Sequence, residues 1–289
     1  RAIKLNDKKI KIKEPFKGLF TQGMVCHETY KNEKGEWLSP IDLEKIDKSK
    51  ITVGPPEAMS KSKKNVIDPE SMIKIYGADS IRWFMLSDSP PDRDIQWSNE
   101  GVAGAHKFIQ KLWNITNKIL ERKDTNISKD DEEKFVSSFN KYLFKISNLI
   151  EKFHLNVAVA NFYEVTNLVN ESISKNISTK CLKDTQIKIM RIMMPFIPHI
   201  SCECLSKLEG EKFYLENNWP AVDKSLLEVN DVTIVVQING KKRGLLSTKK
   251  DIKEKDAIAK AKNIENIKKN LSNKKIIKNI FVKNKVINF

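Results

Sequence analysis

Cysteine, glycine and proline are all scarce in this sequence of 289 residues, at four, ten and ten. The cysteines, Cys26, Cys181, Cys202 and Cys204, lack the spacing of a disulfide framework, which points to a reducing compartment and a cytoplasmic protein. So little glycine and proline excludes collagen-like and low-complexity chains. No apolar run approaches the ~20 residues needed to cross a bilayer. The most apolar stretch, residues 192–200, is cut by Pro195 and Pro198, so no membrane association is expected. Neither an initiator Met nor a basic-then-apolar leader precedes Arg1, which suggests a truncated start rather than a signal peptide. What remains is a globular composition, 40% hydrophobic and 31% charged, long enough for about two domains.

Acidic residues run short in one place only. Residues 1–100 carry 18 basic and 16 acidic side chains, and residues 101–230 carry the same numbers. Residues 231–289 carry 16 basic side chains against Asp231, Asp251, Glu254, Asp256 and Glu265, so 11 of the net +15 charges lie in this last segment. A basic terminal segment suggests a polyanionic partner, nucleic acid foremost.

The periodicity divides the chain into three parts. Residues 1–100 mix short apolar runs with turns. The run Gly18-Leu19-Phe20-Thr21-Gln22-Gly23-Met24-Val25 reads as a strand, and the polar residues 31–57, which include Gly54-Pro55-Pro56, read as a small insertion. Asp68-Pro69 opens a helix, with the carboxylate capping and proline at the first helical position. Gly77 closes that helix, and Asp79 is placed to cap the next one. From 101 to about 222 the spacing is helical. Ala105, Phe108, Leu112, Ile115 and Ile119 form one stripe; Phe135, Phe139, Tyr142, Ile146, Leu149 and Phe153 a second; Ala158, Phe162, Val165 and Val169 a third; Ile187, Met190 and Met194 a fourth. Such stripes predict an antiparallel helical bundle whose aromatic and Met residues are core. Over 228–289 the period changes to two: Val232, Ile234, Val236 and Ile238 alternate, and Asn239-Gly240 signals a hairpin into 243–247. A helix over 252–271 and two short strands over 276–289 complete a small ββαββ unit, near the size limit for independent folding and expected to be flexibly tethered.

Ala58-Met59-Ser60-Lys61-Ser62-Lys63-Lys64-Asn65 gathers three ammonium groups and two hydroxyls on one loop. Lysines act as mobile point charges toward phosphate oxygens, and hydroxyls and backbone N–H groups add neutral donors, so the loop suits a triphosphate. A solvated Lys/Ser surface loop fits the spacing equally well.

The surrounding residues carry a resemblance that separates the two. Met59-Ser60-Lys61-Ser62-Lys63, followed by Asn65, Asp68-Pro69, Tyr76-Gly77-Ala78-Asp79 and Arg82, resembles the KMSKS region of class I aminoacyl-tRNA synthetases. Gln22-Gly23-Met24-Val25, Ser89-Pro90-Pro91, Trp97-Ser98 and Gly101-Val102-Ala103-Gly104-Ala105 are similar to the leucyl branch of bacterial type. Val236-Gln237-Ile238-Asn239-Gly240-Lys241-Lys242-Arg243-Gly244 resembles the start of that branch's C-terminal tRNA-binding domain. The isoleucyl and valyl branches, the nearest alternatives, commonly end in a zinc-binding or coiled-coil tail instead. Two departures stand out. Ala58 replaces the first lysine of KMSKS, and the HIGH motif, the main nucleotide-binding half, most of the leucine pocket and the editing domain have no counterpart here.

The resemblance implies a multidomain α and α/β fold: the end of a Rossmann-type class I catalytic domain with the KMSKS loop (1–100), an antiparallel helical bundle of anticodon-binding type (101–222) and a small C-terminal α/β domain (228–289). It implies the C-terminal part of a leucine–tRNA ligase that uses ATP and Mg2+ to form leucyl-adenylate and charges tRNA(Leu) as a monomer. On its own this fragment is expected to be inactive. Lys61 is the expected catalytic residue. Met59, Ser60, Lys61, Ser62, Lys63 and Lys64 are expected to form the ATP-binding loop, with Met59 as a buried anchor, and Lys241, Lys242 and Arg243 to bind tRNA. The competing class of function is a tRNA-binding module without catalysis. Other polar residues carry weaker signals. His199 and Cys202 share a helical face while Cys204 points elsewhere, which argues against a metal site. His27 and Cys26, adjacent on a strand, face opposite ways. Asp79 and Arg82 read as a helix cap and a local ion pair, and Trp97, Trp113 and Trp219 as packing anchors.

Overall fold

The computed structural model describes residues 16, 18–124, 126–210, 218–227, 231–272 and 275–289. Residues 1–15 and 228–230, which open the first and last expected domains, lie outside them. The chain divides into two compact units between Val222 and Asp223.

The first unit begins with a small sheet. Strand β1 (Val25–Lys31) pairs antiparallel with β2 (Trp37–Leu38) on one side and β3 (Thr52–Ala58) on the other, and its first two residues pair in parallel with β4 (Ile95–Gln96). The expected strand therefore starts at Val25 and not at Gly18. Residues 18–24 have no regular structure, because the Gly23 N–H bonds the Pro91 carbonyl and the Met24 N–H bonds Asp94 instead of a neighbouring strand. Pro55 and Pro56 fall where the β1–β3 register shifts, opposite the segment between His27 and Thr29. Proline, with no N–H to give, is accommodated at such an irregularity. Gly54 is needed beside it, since a Cβ there would lie 2.4 Å from Thr29 Oγ1.

Helices α1 (Pro69–Tyr76) and α2 (Ala78–Ser87) connect β3 to β4, so the parallel β1/β4 pair is reached through a helical crossover. Asp68 accepts from the N–H groups of Glu70 and Ser71 as expected, and Pro69 occupies the first helical position. Five longer helices follow: α3 (Asn99–Glu121), α4 (Lys129–Glu151), α5 (Leu155–Ser172), α6 (Thr179–Met193) and α7 (Pro198–Glu209). Ser98, Ser128 and Ser178 cap three of them through their hydroxyls, each such cap being worth about 1 kcal/mol.

The first and third stripes are buried as their spacing required, whereas in the second Tyr142 and Leu149 are only partly covered. Phe153 lies beyond the end of α4 with φ 57° and is exposed, stacking on Phe20 with ring centroids 5.1 Å apart. On α6 the buried face is broader than expected: Leu182, Ile189, Met190, Ile192 and Met193 are buried, whereas Ile187 and Met194 are only partly covered. Trp83 of α2, fully buried, sits in the same core as the bundle. It stacks on Phe108 at 4.6 Å, and its indole N–H donates to the Tyr163 hydroxyl at 2.9 Å.

The second unit is a four-stranded sheet in the order β6-β5-β8-β7, formed by β5 (Asp231–Ile238), β6 (Lys241–Lys249), β7 (Ile280–Val282) and β8 (Val286–Asn288). Asn239 and Gly240, with φ 51° and 76°, make the hairpin turn the sequence announced. The second strand starts at Lys241, earlier than expected. Val236 pairs with Gly244 and Gln237 with Lys242, which leaves Arg243 as the extra residue of a bulge. The helix expected over 252–271 is two helices, α8 (Glu254–Lys262) and α9 (Glu265–Leu271). On one unbroken helix Ile267 would lie about 240° round from Ala261. The break lets Ala257, Ala261 and Ile267 all reach one core.

Candidate functional site

The loop after β3 is short and firmly founded. Met59 donates its N–H to the Val25 carbonyl at 3.0 Å, which keeps the loop's start registered on β1. Residues Lys61–Lys63 form a single 3-10 turn, and Lys64 closes it in the left-handed conformation, φ 54° and ψ 19°. Beneath the turn lies Asn65, fully buried. Its side-chain oxygen accepts from the Ser60 N–H at 2.8 Å, and its amide nitrogen donates to the carbonyls of His27 and Glu57, each at 3.2 Å. One side chain thus ties the loop to both strands that carry it. Sequence reasoning singled out Asn65 only as part of the loop and assigned it no such role.

Above that foundation the polar groups are presented to solvent. Lys61, Ser62 and Lys64 are exposed and Lys63 is half-buried. The hydroxyls of Ser60 and Ser62 lie 2.7 Å apart in a mutual hydrogen bond. Lys63 is paired with the carboxylate of Glu57 and Lys64 lies within electrostatic range of Asp42, whereas no carboxylate partner of Lys61 occurs among the described residues. The turn therefore displays the Lys61 ammonium group, with the exposed Lys64 beside it, next to two hydroxyls, an arrangement that receives a polyanion without rearranging its backbone. His27, under the loop, is kept below its ordinary pKa first by burial.

Met59, expected as a buried anchor, is half-buried. Its side chain lines an apolar hollow of about 240 Å³ together with Val25, Ile67, Pro69, Ile81, Met85 and Trp97. The space beneath the loop is not filled to the density of a core.

Asp79 and Arg82 act at longer range than local reading suggested. Asp79 leaves its own helix without a side-chain cap. It accepts instead from the backbone N–H of Ile200 at 2.7 Å, from that of His199 at 3.4 Å and from the His199 ring at 2.9 Å, capping α7. Arg82 forms no local ion pair: it donates to the carbonyls of Phe196 and Pro195 at 2.9 and 2.7 Å. His199 is thus engaged by Asp79, and burial raises the thiols of Cys202 and Cys204, the latter to about 11. Among the described residues no three His, Cys, Asp or Glu side chains gather as metal ligands.

In the second unit Lys241, Lys242 and Arg243 follow the hairpin turn on the edge strand β6, and all three are exposed. The Arg243 carbonyl, at the bulge, accepts from the Asn266 amide at 2.7 Å, so the bulge is braced by α9 while the guanidinium is left to solvent. The structure puts these residues in a different unit from Lys61. Among the described residues no helix is long and apolar enough to cross a membrane.

The comparisons with known proteins cover parts of both units. Residues 50–98, which hold the loop, match the family described as tRNA synthetases class I (I, L, M and V). Residues 132–277, half of the chain, match the family described as the anticodon-binding domain of tRNA ligase. Among curated relatives, the leucine–tRNA ligase of Zymomonas mobilis is 38% identical over 97% of this chain, and that of Orientia tsutsugamushi is 39% identical over 97%. This chain spans about a third of the length of each, 33% and 34%. Among solved structures, the LeuRS of Agrobacterium radiobacter K84, in its ternary LeuRS-tRNA-LeuAMS complex, superposes with a TM-score of 0.62 over 96% of this chain and 33% of that one, at 23% identity. The multidomain α and α/β fold is therefore that of a class I synthetase region. With residues 132–277, half of the chain, matched to it, the chain belongs to the family of anticodon-binding domains of tRNA ligases.

Proposed function

We propose that this chain is part of a leucine–tRNA ligase and that residues 59–64 serve its ATP-dependent activation step. The observation that carries the reading is the exposed cationic turn at 61–64 held on the buried Asn65, in a chain 38% identical to a leucine–tRNA ligase over 97% of its length. In that activation a leucine carboxylate oxygen bonds to the α-phosphorus of ATP, the α–β phosphoanhydride bond breaks and pyrophosphate leaves. The terminal ribose hydroxyl of tRNA then takes the acyl group and AMP departs. The charge that grows on the leaving pyrophosphate is what Lys61 meets, with Ser60, Ser62, Lys63 and Lys64 supplying further donors. Phosphoryl transfer depends on such positioning and neutralisation more than on covalent help.

The loop offers ammonium and hydroxyl groups and no carboxylate set for Mg2+, so no step is assigned here to that ion. The helical bundle and the basic unit would hold tRNA(Leu), with Lys241, Lys242 and Arg243 on phosphates, contacts that position the RNA without reading its sequence. Such a protein works in the cytoplasm, as a monomer. The test is Lys61→Ala in the complete protein, assayed by leucine-dependent ATP–pyrophosphate exchange. A fall of about 10²–10³ is expected when one transition-state donor is removed. Undiminished exchange would falsify the assignment.

A further inference from the structure

The ion pair between Glu57 and Lys63 is not explained by the fold or by the activation chemistry. Glu57 is near the end of β3, opposite His27, and its own carbonyl is held by Asn65. Its backbone is thus fixed, while its side chain and that of Lys63 each remain 37% exposed. The carboxylate reaches over the 3-10 turn and engages the last of its three residues. Lys61, on the same turn, is exposed and has no carboxylate partner among the described residues. The loop therefore presents its cations unequally: one to solvent, one to the protein's own anion.

We propose that Glu57 is a positioning residue that competes with the triphosphate for Lys63, so that the ion pair acts as a latch on the resting loop. This rests on the ATP reading of residues 59–64. An ion pair this exposed is weak, of the order of a fraction of a kcal/mol to one, and a triphosphate brings several negative charges against one carboxylate. The latch therefore opens when nucleotide is bound and re-forms when pyrophosphate leaves. It modestly lowers ATP affinity and favours release of the polyanion over its retention. Because Asn65 and the Met59–Val25 hydrogen bond hold the backbone on either side, opening requires only that the Lys63 side chain rotate. The remaining cations need not move.

The experiment uses the complete protein and ATP itself, with KM for ATP and kcat of leucine-dependent pyrophosphate exchange measured for Glu57→Gln, Lys63→Ala, the double variant and Lys61→Ala. Removal of the competing carboxylate is expected to lower KM about two- to fivefold, the range that an exposed pair of this strength allows, and the change should appear in KM more than in kcat. In the Lys63→Ala background the Glu57→Gln substitution should have no further effect, since the cation it engages among the described residues is gone. A KM that rises or stays the same in Glu57→Gln, or a fall that persists without Lys63, overturns the latch. If Lys61→Ala impairs exchange while Glu57→Gln leaves KM untouched, the latch alone fails. If Lys61→Ala is without effect, the ATP reading fails and the latch falls with it.

Discussion

Asn65 shows how much a single buried amide can organise. Its three hydrogen bonds reach the backbone of Ser60, Glu57 and His27, the last 38 positions away. Asn65→Ala removes the acceptor of the Ser60 N–H and the two donations that tie the loop to the strand carbonyls. Unsatisfied buried groups cost about 1–3 kcal/mol, so a destabilisation within or above that range is expected in denaturant unfolding of the complete protein. Asn65→Asp keeps the acceptor but sets a buried carboxylate oxygen against the carbonyls of His27 and Glu57, so it should cost at least as much. An unchanged midpoint in the alanine variant would contradict the role. The cationic residues of this loop were legible in the sequence because their chemistry lies in their side-chain type. The function of Asn65 was not, because it depends on which carbonyls a distant strand brings within 3.2 Å. Glu57 escaped for a related reason: an acidic residue beside lysines is unremarkable until the turn folds one of them back onto it.

At the level of elements, periodicity was the most informative signal. Ala105, Phe108, Leu112, Ile115 and Ile119 lie at spacings of three and four and are all buried on α3, because a stripe of that period has one way to leave water. Capping was less transparent. Asp68 caps its own helix, as its position implies, whereas Asp79, of the same residue type and also at a helix start, caps α7 some 120 positions on. A carboxylate satisfies whichever orphan N–H groups the fold presents, and local sequence cannot choose between them. Asp79→Ala should therefore act on α7: a destabilisation of about 0.5–2 kcal/mol is expected from the cap, with amide hydrogen exchange accelerating at His199 and Ile200 rather than at the start of α2. Acceleration confined to α2 would contradict it. The division of α8 from α9 at Asn263 and Ile264 was equally hidden, since nothing in those residue types forbids a continuous helix. The need to bring Ile267 onto the sheet side decides it.

For the whole molecule, the uneven charge is the governing quantity. Eleven of the net +15 charges lie in residues 231–289, while the bundle is close to neutral. If Lys241, Lys242 and Arg243 bind RNA phosphates, replacing all three by Ala in the complete protein should flatten the plot of log affinity for tRNA against log salt. The slope should change by about two to three, roughly one for each phosphate left without its cation. A slope that stays the same, whatever the affinity, would remove these residues from the interface. Charge asymmetry of this sort is visible in a bare sequence, and so is the hairpin at Asn239-Gly240. The bulge that sets Arg243 out of register is not, because it is a property of the pairing with β5.

Helix α2 carries Ile81 and Met85 under the loop and, on its other side, Trp83 in the middle of the bundle core. One rod thus lines the hollow beneath the cationic turn and fills the bundle core, so a substitution that displaces α2 disturbs both packings at once.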